Sequence, residues 1–203
     1  MNKLSQENRI YQLATPVIGL TGGVATGKTT VSNYLREKGH LVICADELIK
    51  KIYKQTQTHD FISTNYPQVI QNNQIDFRQL RKLFFGNVDI QSKIENHLYP
   101  KLQVEFFKSF SKADRVFYDV PLLFEKKLDL LVDATICVYV NPDIQRQRLM
   151  SRDSISPQEA SLIINAQMPI EEKRKQADFV IDNSKQPRDT FTQVDAVLKT
   201  LQS

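Results

Sequence analysis

The stretch "GLTGGVATGKTTV", Gly19 to Val31, decides how this chain is read. Four of the chain's six glycines lie in it. Gly22 to Thr29 satisfies G-x-x-x-x-G-K-[ST], with an apolar run before it and a helical pattern after it. A phosphate chain needs several backbone N–H groups aimed at one point, beside the amino terminus of a helix. Gly22 and Gly27 let the backbone turn and approach closely where a Cβ would clash. Lys28 brings positive charge to the β- and γ-phosphates of a nucleotide, and Thr29 offers a hydroxyl to Mg²⁺. Gly23, Val24, Ala25, Thr26, Gly27, Lys28, Thr29 and Thr30 are therefore the expected ATP cradle. Ala25 predicts a negative φ at its position, because L side chains resist the left-handed region.

Four apolar, β-rich runs lie around this loop: "PVIGL" (16–20), "HLVICA" (40–45), "RVFYDV" (115–120) and "ATICVYV" (134–140). A fifth, "DFVID" (178–182), is shorter. Most lack polar alternation, as strands buried on both faces do. Helical patterns lie between them. One follows the loop and ends at Gly39; another spans Asp143 to Arg152, capped near Asn141 or Asp143. "SPQEA" carries a capping box, with Ser156 as N-cap and Glu159 three residues on. The last helix spans about Asp189 to Leu201. Strands alternating with helices predict an α/β fold: a five-stranded parallel sheet flanked by helices in the P-loop NTPase manner. Residues 47–113 break the alternation. They hold no convincing strand and several helical segments, and read as a helical insertion. Residues 151–170 read as a lid. The expectation is one domain, its core about 15–46, 114–150 and 171–203.

Composition agrees with a soluble globular protein. The chain has 203 residues, 41% hydrophobic and 25% charged, with a net charge of +4. That size can bury one real core. The positive charges are scattered, so they suit an anionic small molecule better than nucleic acid. Cys44 and Cys137 sit in apolar runs without metal-ligand spacing, and both are expected to be buried thiols. No apolar run approaches the length that spans a bilayer, and the first residues are polar, without an apolar signal region. The expected location is cytoplasmic, with no membrane partner.

In open parallel sheets, ligands gather at the carboxyl ends of the strands. Asp46 follows the second strand and is placed to orient or deprotonate an acceptor hydroxyl. Its alternative use is as the N-cap of "ELIKKIY". Asp119 ends the third strand and could help hold the metal. Arg148 and Arg152 lie four apart on one helix face, with Gln145 one turn earlier; arginines so placed can stabilise a transferred phosphoryl group. The other reading is a solvated basic face. His40, His59 and His97 show no ligand spacing.

With these residues in place, the chain resembles the dephospho-CoA kinases over nearly all of 17–183. The resemblance rests on "GLTGG…GKTTV", Ala45-Asp46, "DVPLLFE" (119–125), "Q..RLMSRD" (145–153), "AQM" (166–168) and "EEKRKQADFVIDNS" (171–184). It implies transfer of the ATP γ-phosphate to the ribose 3′-hydroxyl of dephospho-CoA, with Mg²⁺ and no macromolecular partner, in a monomer. It implies that Asp46 is the base, that Lys28, Arg148 and Arg152 act on the triphosphate, and that Asn183 adjoins ATP. Thr21, Asp46, Pro121, Leu122, Leu123, Phe124 and Glu125 would meet the acceptor, with core packing the alternative for at least one of Leu122, Leu123 and Phe124. The insertion would help bind the CoA side. Three positions depart from the family pattern: Ala25-Thr26 for Gly-Ser, Cys44 for Asp, and Tyr99-Pro100 for His-Pro. The histidine's role is not carried over to His97. Two other functions stay open on the residues: a kinase for another small alcohol, and a nucleotide-dependent switch without transfer.

Overall fold

The five apolar runs become five strands of one sheet in the computed structural model, which describes residues 4–202. Strand β1 (Val17–Gly22) leads through the glycine loop into helix α1 (Lys28–Glu37) and strand β2 (Leu41–Cys44). Helices α2 (Ala45–Tyr53) and α3 (Thr56–Asn65), a hairpin β3 (Ile70–Gln71) and β4 (Gln74–Ile75), and helices α4 (Phe77–Gly86) and α5 (Val88–Ser109) follow. The chain then returns as β5 (Val116–Asp119), β6 (Ala134–Tyr139), α6 (Pro142–Asp153), α7 (Pro157–Asn165), α8 (Ile170–Gln176), β7 (Phe179–Asp182) and α9 (Pro187–Gln202). The chain divides into two compact units, one of residues 1–43 and 111–203, the other of residues 44–110.

The sheet order is β2-β5-β1-β6-β7. β1 is central and pairs in parallel with β5 on one side and β6 on the other. All six of its residues are buried, which is why it reads as an unbroken apolar run. Ile136 and Val138 point to one face with Ile18, Leu20 and Phe117, and pack against Val31 and Leu35 of α1 and Val194 and Leu198 of α9. Cys137 and Tyr139 point to the other face, where Ile170 of α8 covers them. Each such aliphatic side chain contributes about 1.5–3 kcal/mol by burial. The register sets Leu20 beside Asp119 and Gly22 beside Val138, so the carboxyl ends of the central strands converge at the glycine loop.

Local signals end the helices where expected. After α1, Gly39 (φ +83) donates its N–H to Arg36 O and His40 donates to Leu35 O, the paired bonds of a Schellman motif. Asn141 caps α6 through Asp143 N, and Ser156 and Glu159 form the capping box of α7. Cys137 is buried, and burial pushes its thiol up to about 12; Cys44 is only half-buried, against expectation, because it ends the edge strand β2. Residues before β1 form two single-turn 3₁₀ helices, pinned by Arg9 to the buried Asp133.

The second unit has its own core, with Ile52, Ile62, Val69, Leu80, Ile94 and Leu98 fully or almost fully buried. The absence of strand predicted for 47–113 is corrected by the β3–β4 hairpin. Asn72 (φ +49) and Asn73 (φ +60) form its two-residue turn, where Asn tolerates the left-handed region. Strands of two residues are too short to show periodicity. Asp76 and Asn87 cap α4 and α5.

Candidate active site

Between the end of β1 and the start of α1, the loop turns within five residues, 23–27. A Cβ on Gly22 would stand 2.8 Å from the Val138 carbonyl oxygen, and one on Gly27 would stand 2.1 Å from Asn183 Nδ2. Gly27 also has φ +83. Ala25 has φ +59, which overturns the negative φ expected of it. The reason lies in the loop's shape. Left-handed residues at Ala25 and Gly27, separated by Thr26 in the ordinary region, turn successive N–H groups to one side, which makes an anion-binding nest. The N–H groups of Ala25, Gly27, Lys28 and Thr29 have no acceptor among the described residues, and the last two open a helix, where the dipole adds to their pull on an anion.

The left-handed region costs an L residue about 1–2 kcal/mol. Ala25→Gly removes that cost but adds about 0.4–1 kcal/mol of unfolded-chain entropy. A net stabilisation of about 0.5–1 kcal/mol is expected in urea denaturation. A loss of stability would mean that the methyl group contributes packing larger than its strain.

Lys28 Nζ pairs with Asp119 Oδ1 at the end of β5. Asp119 Oδ2 accepts from Ser32 Oγ at 2.6 Å. Ser32 lies one turn after Lys28 on the same face and is 1% exposed. Sequence reasoning missed it, although a polar residue on the apolar stripe of α1 was the available signal. Thr29, the residue after Lys28, is exposed.

Side chains from distant segments brace the loop. Asn183 Nδ2 donates to Thr26 O at 2.8 Å, and its Oδ1 accepts from Thr190. Both ends of that amide are thus engaged, so Asn183 shapes the loop from below. Thr26 is fully buried and donates to Gly23 O. Gln145, 2% exposed, donates to Val24 O at 2.8 Å, and Gln167 Oε1 accepts from Val24 N at 2.9 Å. Arg148 follows Gln145 by one turn and is half-buried, with no hydrogen-bond or ion-pair partner among the described residues. Arg152, by contrast, is exposed and held by Asp153 at 2.8 Å.

The segment 119–125 is fastened from within. Pro121 O accepts from Thr21 Oγ1 at 3.1 Å and from Lys173 Nζ at 2.6 Å. Lys173 is fully buried and also pairs with Glu125 Oε1 at 2.8 Å. Leu123 is fully buried; its methyl groups close on Gly19, so it belongs to the core, the alternative kept open for one of the three apolar residues. Phe124 is 5% exposed, and Pro121 and Leu122 are half-buried. Thr21 is fully buried. In this structure the Thr21 hydroxyl donates to Pro121 O and Glu125 pairs with Lys173.

Asp46 belongs to the second unit. It is exposed in the first turn of α2, and the residue preceding the helix is Cys44. That excludes Asp46 as the N-cap. Among the described residues, no group of three or more His, Cys, Asp or Glu side chains could hold a metal on its own.

This geometry has known counterparts. The dephospho-CoA kinase family model matches residues 16–189. A dephospho-CoA kinase of Fusobacterium nucleatum is 37% identical over 91% of this chain and 98% of its own length. One of Carboxydothermus hydrogenoformans is 40% identical over 92% and 95%. The crystal structure of TT1252 from Thermus thermophilus shares 30% identity and superposes with a TM-score of 0.84 over 92% of this chain and 98% of that one. A match of that extent, through the glycine loop, "DVPLLFE" and the late Lys-Asp-Asn string alike, is decisive: the chain belongs to the dephospho-CoA kinase family.

Proposed function

We infer that this chain transfers the γ-phosphoryl group of ATP to the ribose 3′-hydroxyl of dephospho-CoA, giving CoA and ADP, the last step of CoA biosynthesis. The observation that carries this reading is the loop with four unclaimed N–H groups and Lys28 at its end, in a chain of this family. The N–H groups and Lys28 hold the β- and γ-phosphates. Arg148 draws charge from the transferred group, and Arg152 joins it if its pairing with Asp153 is exchanged for phosphate. Asp46 takes the proton of the 3′-hydroxyl as its oxygen attacks phosphorus in line and the bond to the β-phosphate oxygen breaks.

The donors near Lys28 are hard oxygens, an exposed hydroxyl at Thr29 and a carboxylate at Asp119, and they suit Mg²⁺. Thr29 would hold it directly and Asp119 through water; the ion would neutralise charge on the phosphates. Residues 47–113 are assigned to the CoA side and 151–170 to a lid that excludes water. We assign the chain to the cytoplasm, as a monomer acting on small molecules; no helix among the described residues is long and apolar enough to cross a membrane, and both cysteines are free.

A coupled ADP-release assay with dephospho-CoA, set against nucleosides, nucleotides and simple sugars, tests the reading. Activity with dephospho-CoA alone is expected. Turnover of another alcohol without dephospho-CoA would replace the acceptor, and ATP binding without transfer to any of them would make the protein a switch.

A further inference from the structure

The string Ala166-Gln167-Met168 lies between α7 and α8, and two of its hydrogen bonds reach distant segments. Gln167 Oε1 accepts the Val24 N–H at 2.9 Å, while the Met168 N–H donates to Glu125 Oε1 at 3.0 Å. Glu125 is in turn held by the fully buried Lys173, which also fixes Pro121 O. The short segment therefore spans from the phosphate loop to the segment 119–125.

At the loop, both peptide planes flanking Val24 are gripped. Gln167 holds the plane before it through the N–H, and Gln145 Nε2 holds the plane after it through the C=O at 2.8 Å. The next residue is Ala25, with the φ of +59 that an L residue resists. The plane between Val24 and Ala25, whose rotation would relieve that strain and turn the Ala25 N–H out of the nest, is held by Gln145 directly and by Gln167 through the backbone of Val24. The strained conformation persists because its surroundings over-determine it.

We propose that Gln167 is a positioning residue for the phosphate loop. It holds the loop in its anion-binding shape and, through Met168 and Glu125, ties that shape to the segment after β5. A loop set free from this strap samples relaxed conformations, and nucleotide binds only the fraction that keeps the nest. The identity of the nucleotide rests on the kinase reading above, but the strap can be tested without any acceptor.

The full chain is compared with Gln167→Met, which keeps the length and removes the acceptor oxygen, and with Gln167→Glu, which keeps an acceptor oxygen. ADP and ATP affinities are measured by calorimetry, amide exchange at Val24 by NMR, and melting by calorimetric scan. Gln167→Met is expected to weaken both nucleotides about three- to tenfold, the worth of one hydrogen bond. It should speed exchange at Val24 while the melting transition stays in place. Gln167→Glu should restore protection at Val24. Unchanged affinity and unchanged Val24 exchange in Gln167→Met would overturn the proposal. So would a loss of affinity accompanied by lower melting and faster exchange throughout the chain, since that is a general loss of fold. If the unaltered chain binds nucleotide but leaves dephospho-CoA untouched, the kinase reading falls and the strap stands.

Discussion

Asp46→Asn is expected to lower turnover of dephospho-CoA by about 10²–10⁴-fold, the usual contribution of a general base. ATP binding should be unchanged. Asn preserves the shape of the side chain but cannot take up a proton. Asp46 sits in the first turn of α2. Steady-state rates with saturating ATP, paired with calorimetric ATP affinity, separate the two effects. Turnover at the unaltered rate would remove Asp46 as the base. A matching loss of ATP affinity would move its role from the acceptor to the nucleotide.

The second large effect concerns folding. Arg9 donates Nε to Asp133 Oδ2 and a terminal nitrogen to Asp133 Oδ1, both at 2.7 Å. It also satisfies the carbonyls of Leu13 and Leu4. Asp133 in addition accepts the N–H groups of Val17 and Leu4, so it anchors the start of β1. Arg9→Met leaves a buried carboxylate without its counter-ion and is expected to cost about 3–5 kcal/mol in urea denaturation. Burial alone would push the Asp133 carboxyl up, but Arg9 and the two N–H groups outweigh it and hold the group below the ordinary carboxylate value. The stabilisation is therefore fully present above the unfolded-state value of about 3.9 and is lost as pH falls through the lower folded-state value. Arg9→Met should flatten this acid limb, and adding Asp133→Asn to it should recover part of the loss. An unaltered midpoint for Arg9→Met would show that this pair has no net worth.

Much of the site is legible because its physics is local. The glycine loop, Lys28 and the flanking strand and helix stand within 19–37, so spacing alone reveals a phosphate cradle. The capping box at Ser156 and the glycine after α1 are equally local. Ala25 shows where local reasoning fails. Its intrinsic preference for negative φ is overridden by Gln145 and Gln167, which grip the neighbouring Val24 from 121 and 143 residues away. The resemblance implies that Thr21 and Glu125 lie near the acceptor. Their partners, Pro121 and Lys173, become visible only when the strands are assembled.

The sequence by itself determined the doubly covered parallel sheet, the phosphate loop, the order of the helices and the family. These follow from periodicities and motifs that span few residues, where each side chain's neighbours are its neighbours in the chain. Only the tertiary structure decided that Ser32 shares Asp119 with Lys28, that Arg9 and Asp133 anchor the residues before β1, and that Gln167 grips Val24. Each is a pairing of polar groups brought together across the fold. A polar residue carries no mark of its partner, since water satisfies it equally well until burial removes the water and leaves one group within reach.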